Sequence, residues 1–91
     1  MIGCFASSLA GHDKGKIYLI VDEKDDYVFL SDGSIKKMGN PKKKKRKHIQ
    51  LTNVTCEKSL YDKLLNKETV CDDELKRAIK VYRRSICQNL M

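Results

Sequence analysis

The hydrophobic period of the chain changes near Thr52, and that change constrains the architecture more than any other feature. Upstream, apolar residues come in short runs. "KIYLIVDE" (Lys16 to Glu23) and "YVFL" (Tyr27 to Leu30) join β-branched and aromatic residues in nearly continuous apolar stretches, the pattern of buried strands. "IGCFASS" (Ile2 to Ser8) and "HIQLT" (His48 to Thr52) read as further short strands. Turn residues separate them. Gly11 and Gly15 bracket a polar tip, "EKDD" reverses the chain, and Asp32-Gly33 is a hairpin signal leading into "SIKKM". Four or five short strands so closely spaced predict a small, strongly bent barrel, because a flat open sheet of this size would expose its edges.

Downstream the period becomes helical. "TCEKSLYDKLLNK" spaces Leu60, Tyr61, Leu64 and Leu65 as a helix would, and in "DDELKRAIKVYRRSICQNL" the residues Leu75, Ala78, Ile79, Tyr82 and Ile86 share one arc. Asp72 is the expected N-cap, with Asp73 and Glu74 in the first turn. Lys76, Arg77, Lys80, Arg83 and Arg84 occupy the opposite arc. This basic back is either a solvated face, the favoured reading, or a second phosphate-contacting surface made by Lys76, Lys80, Arg83 and Arg84. The expected fold class is thus mainly β with C-terminal α. Residues 1–54 form the barrel, and residues 55–91 form a helical extension packed on it through Leu75, Ile79 and Tyr82. At 91 residues the chain is near the small end of what buries an adequate core.

Charge is concentrated rather than spread. Eight cations lie between residues 36 and 47, more than the whole net charge of +7, so the rest of the chain carries −1. Six of them are consecutive: Lys42, Lys43, Lys44, Lys45, Arg46 and Lys47, after Pro41 and before His48. A near-neutral body with one such segment is the footprint of a protein that docks on a polyanion at one place. No apolar run approaches a membrane span, and the first residues lack the basic start and leucine-rich core of a signal peptide, so the expected location is cytoplasmic. The run "PKKKKRK" also fits a merely solvated polycation or a nuclear address. Its placement between two strands favours a basic connection held at both ends, which costs less entropy to order on phosphate than a free tail.

Other chemistry is sparse. Cys4, Cys56, Cys71 and Cys87 are too far apart for paired metal-ligand spacing and are expected to be reduced, with no metal and no cofactor. Asn53 to Thr55 match a glycosylation acceptor, which means nothing without secretion. There is no P-loop, paired-carboxylate motif or nucleophile-base pattern, so neither an enzyme nor a small-molecule substrate is expected. The aromatic residues fall mostly on strand or helix faces, where packing is the default role, although Tyr18 or Tyr27 can line a surface.

"GCFASSLAGHDKGKIYLIV" resembles the KOW motif of ribosomal proteins and transcription elongation factors, in which a glycine-rich basic loop joins two strands of a Src-homology-3-like barrel. Its continuation "LSDGSIKKMGNPKKKKRKHIQL" is similar to small KOW-domain RNA-binding proteins of Gram-positive bacteria, relatives of the eukaryotic and archaeal large-subunit ribosomal protein families fourteen and twenty-seven. The likeness runs from about Ile2 to Thr52. It departs from the family at His12, where a basic residue is usual, and at Phe5 and Ala6, where a pair of aliphatics is.

The resemblance implies RNA binding, with the ribosome or ribosomal RNA as partner. It adds Gly11, His12, Lys14, Gly15 and Lys16 of the loop to the candidate site, beside Lys36, Lys37 and the run Lys42 to Lys47. In the loop, Asp13 is expected to cap the turn. A second class of function stays open: an adaptor that docks on ribosome or RNA polymerase through protein contacts, its lysines only steering encounter.

Overall fold

The computed structural model describes residues 1–9, 11–12, 14–34 and 39–89, the last four without their side chains. Five strands come first: β1 (Cys4–Ser8), β2 (Ile17–Lys24), β3 (Tyr27–Ser31), β4 (Lys42–Lys45) and β5 (Ile49–Thr55). A single 3-10 turn, Arg46–His48, joins β4 to β5, and two helices follow, α1 (Lys58–Leu65) and α2 (Asp72–Asn89). Two expected strand boundaries move. Ile2 belongs to a turn ahead of β1, and His48 belongs to the 3-10 turn rather than to β5.

All pairings are antiparallel, in the order β4-β3-β2-β1-β5. The two strands nearest in sequence at the end of the sheet, β4 and β5, therefore lie on its opposite edges. In a flat sheet those edges would be about 19 Å apart at the usual strand spacing, whereas a 3-10 turn of this length advances only about 8 Å. The sheet must curl until its edges approach. Two register shifts supply the bend, at Val21 of β2 and in β5 opposite the step from Cys4 to Ala6. The Thr52 hydroxyl stitches the second of these, donating to the Phe5 carbonyl at 2.7 Å.

Curling divides the apolar residues into two cores. Ala6, Tyr18, Ile20, Val28, Leu30 and Ile49 fill the concave side. Phe5, Leu19 and Val21 point to the other side, where Leu60, Leu64, Val70, Leu75, Ile79 and Tyr82 of the helical segment cover them. Both faces of β2 are buried, which is why "IYLIV" reads as a continuous apolar run rather than an alternating one. The Phe5 and Tyr82 rings stack at 4.5 Å and 15° across the second core.

Glycines mark the points where helices press on the sheet. Gly33 has φ 73°, and a Cβ there would stand 2.2 Å from the Asp72 carbonyl oxygen and 3.0 Å from the Leu75 Cβ. The Asp32-Gly33 pair is thus a docking point for α2 as well as a turn. Gly3, at φ 86°, lies under the Tyr61 ring in the same way.

The helices follow the expected arcs with one exception. Leu65 is 48 % exposed, whereas Tyr61 and Ala78 pack half-buried against the core; the side chain of Ile86 lies outside the described residues. Asp72 sits in the first turn of α2 rather than at its N-cap. Cys71 holds the capping position: its N–H donates to Glu74 Oε2 at 3.2 Å while its carbonyl accepts from Glu74 N–H at 3.1 Å. Glu74 thus completes half a capping box without a serine or threonine in it.

Candidate nucleic-acid interface

The lysine run is not the connecting loop that its charge suggests. Lys42 to Lys45 form β4, paired residue for residue with β3 as Leu30↔Lys42, Phe29↔Lys43, Val28↔Lys44 and Tyr27↔Lys45. Backbone hydrogen bonding decides this. The outer edge of β3 carries the core residues Val28 and Leu30, and its polar backbone groups need partners. Lysine suits an outermost strand, because its aliphatic stem lies on the sheet while the ammonium stays in water and deters pairing with another chain.

Strand alternation then sorts the six cations. Lys42 and Lys44 share a face with Leu30 and Val28 and are half-buried. Lys44 Nζ donates to the hydroxyl of Ser8, a buried residue of β1, so this side chain bridges the curl. Lys43 and Lys45 are exposed on the other face, beside Phe29 and Tyr27, and the Lys43 ammonium lies 4.2 Å from the Tyr27 ring centroid.

Arg46 is occupied structurally. Its backbone N–H donates to the Asp26 carbonyl at 2.8 Å, its Nε donates to the Asp25 carbonyl at 2.9 Å, and its Nη2 lies 3.3 Å from Glu23 Oε2. It clamps the Asp25-Asp26 turn between β2 and β3, where Asp25 takes φ 54°. Lys47 and His48 are exposed. Thus three cations of the run, Lys43, Lys45 and Lys47, present their charge to solvent, and Lys42, Lys44 and Arg46 are at least partly withdrawn into the fold.

The glycine loop comes to the same place. Leu9 N–H donates to the His48 carbonyl at 2.9 Å, which sets the start of the β1–β2 connection alongside the 3-10 turn. Gly15 N–H closes the loop on the Ser8 carbonyl at 2.8 Å. Gly11 and Gly15 both take φ 87°, the left-handed backbone expected of them, and a Cβ at Gly15 would meet nothing. At Gly15 the role is therefore conformational, not close approach. Gly11, His12, Lys14, Gly15 and Lys16 are all exposed. Asp13, Lys36 and Lys37 lie outside the described residues.

The field along this edge is uneven. Asp22, Glu23, Asp25 and Asp26 gather where β2 turns into β3, next to Arg46 and the Lys45 end of β4. These carboxylates weaken the positive field at the Lys45 end, so the stretch from Lys47 toward Lys14 and Lys16 is the most favourable for a phosphate. No signal in the sequence distinguished Arg46 from its lysine neighbours except this acidic cluster some twenty residues earlier. The basic arc of α2 is a separate surface: Lys76, Arg77, Lys80, Arg83 and Arg84 are exposed, turned away from Leu75, Ile79 and Tyr82.

The remaining candidates are quickly placed. Tyr18, a possible surface aromatic, is 2 % exposed in the concave core, because β2 points it inward with Ile20. Tyr27 is half-buried under Lys43. Burial pushes the Cys56 thiol up to about 11, away from the thiolate that nucleophilic chemistry would need. Among the described residues no cluster of His, Cys, Asp or Glu could hold a metal ion, and no helix is long and apolar enough to cross a membrane. The chain matches no protein-family model and no curated protein.

Proposed function

We propose that the protein binds structured RNA, with ribosomal RNA in the ribosome as the favoured target in the cytoplasm, by seating phosphates on Lys43, Lys45 and Lys47 and on Lys14 and Lys16 of the neighbouring loop. One observation carries this reading: the most cationic segment of the chain is a hydrogen-bonded strand ending in a short turn, so its charges are already positioned. Binding to such an edge orders less backbone than binding to a tail. The curled sheet, its strand order and the glycine loop between β1 and β2 support a small Src-homology-3-like barrel of the KOW type, the fold we propose for residues 1–54.

Lysine ammoniums are point charges without base-reading geometry, so recognition is of shape and backbone. Fluorescence anisotropy with two labelled RNA stem-loops of one shape and unrelated sequence tests this. Both should bind with nearly equal affinity at low salt, and protein purified without a high-salt wash should carry nucleic acid, seen as a raised ratio of absorbance at 260 to 280 nm. No saturable binding to either stem-loop at low salt would overturn the proposal.

A further inference from the structure

A second surface has the opposite chemistry and stands independently of the RNA reading. A groove of about 350 Å³ runs between the end of β5, the start of α1 and α2. Its floor is apolar, formed by buried Phe5, Leu60 and Tyr82. Its rims carry Val54 on β5 and Val81 on α2, 46 % and 54 % exposed. Beside it, β5 is the outermost strand of the sheet and pairs only with β1 among the described residues.

Charge selects the occupant. At the helical pitch Arg77 lies about 40° and Arg84 about 60° from Val81, both on its solvent side, and both are exposed. Lys80 is exposed beyond them. Two carboxylates line the groove: Glu57, exposed just ahead of α1, and Glu74, which is held by Lys63 at 2.8 Å and by Cys71 N–H, Lys63 keeping it below the usual carboxylate range. Beside Val81 on α2 the open charges are those of Arg77, Lys80 and Arg84, all positive.

We infer that this groove docks an acidic amphipathic helix of a partner protein, its apolar side chains entering between Val54 and Val81 and its carboxylates meeting Arg77 and Arg84. Two other occupants fit less well. A second copy related by a two-fold would set Arg77, Lys80 and Arg84 against their own equivalents. An RNA base would need an aromatic face to stack on, and Phe5 and Tyr82, 3 % and 9 % exposed, are stacked on each other.

The probe is a fluorescein-labelled helical peptide of about 18 residues with leucine on one face and glutamate on the other, long enough to approach helicity, paired with a version carrying lysine for each glutamate. Anisotropy is read on the whole protein, and amide shifts of the labelled protein locate the site. The glutamate peptide should saturate one site, shifting Val54, Ala78 and Val81, and bind at least tenfold tighter than the lysine peptide. Val54→Gln with Val81→Gln should weaken it tenfold or more without loss of thermal stability or of RNA affinity, and Arg77→Glu with Arg84→Glu should reverse the peptide preference. Failure to saturate, equal binding of both peptides, or shifts confined to β4 would overturn the inference. So would concentration-dependent dimerisation that the Val54→Gln, Val81→Gln variant abolishes, which gives the groove to a second copy. Displacement of the peptide by an RNA stem-loop in the Lys43, Lys45 and Lys47 to Gln variant would give it to RNA.

Discussion

If the six cations of the run divide as the strand alternation divides them, RNA binding and stability respond to different halves of one lysine tract. The perturbation is a pair of variants: Lys43, Lys45 and Lys47 to Gln, which removes the exposed charges, and Lys44→Gln with Arg46→Gln, which removes the charges engaged with Ser8, Glu23 and Asp25. Each neutralised phosphate contributes about 0.7 to 0.9 to the slope of log K against log salt, so the first variant should lose a slope of about 2.1 to 2.7. Between 50 and 200 mM salt that is a factor of about 20 to 40 in wild-type affinity that the variant no longer loses. Its fold should be little changed, since exposed lysines, one with a cation–π contact, contribute about 1 kcal/mol or less each.

The second variant should behave the other way. It gives up a part-buried lysine–hydroxyl contact, a hydrogen bond to the Asp25 carbonyl and a half-exposed ion pair, together about 1 to 3 kcal/mol of stability, while the slope changes by about 1 or less. The assay is anisotropy over a salt series on both variants, with denaturant unfolding alongside. A slope unchanged in the Lys43, Lys45 and Lys47 variant would refute contact at β4 and move the interface to Lys76, Lys80, Arg83 and Arg84. A slope lost equally in both variants would show that the tract acts as an undivided polycation, against the sorting by strand faces.

Three further outcomes are expected. Gly33→Ala brings a Cβ within 2.2 Å of the Asp72 carbonyl at a left-handed φ, so it should cost about 2 to 4 kcal/mol in chemical denaturation; an unchanged midpoint would mean that α2 does not dock there. Ile79→Asp buries an unpaired carboxylate in the outer core and should abolish cooperative unfolding or detach α2, seen as lost helical circular dichroism; wild-type thermal stability would remove Ile79 from the core. The Cys56 thiol is raised from 9.0 to about 11, so the folded state keeps a proton that the unfolded state releases, and stability is full below pH 9 and lost as pH rises towards 11. Solvent screening at a thiol on the groove wall keeps the loss to about 3 kcal/mol at most. Cys56→Ala should flatten that part of the profile relative to wild type, and parallel profiles would show the thiol is not desolvated.

Local pattern alone determined much of this molecule. β-branched and aromatic runs bounded by glycine and aspartate are strands in almost any context, and the arc of Leu75, Ile79 and Tyr82 leaves one way for α2 to face. The concentration of charge between residues 36 and 47 is likewise a property of composition. What the tertiary structure decided are the relations that depend on partners distant in the chain. Lys42 to Lys45 have no strand propensity of their own and become β4 because β3, eleven or more residues earlier, has an edge to satisfy. That pairing, with a side-chain period of two, then separates neighbouring lysines into those half-buried on the face of Val28 and Leu30, where Lys44 bridges to Ser8, and those that face solvent. Gly33 reads as a turn residue until α2, some forty positions on, is laid across it. The groove between Val54 and Val81 exists in no local pattern, because a concavity is made only when β5, α1 and α2 are brought side by side.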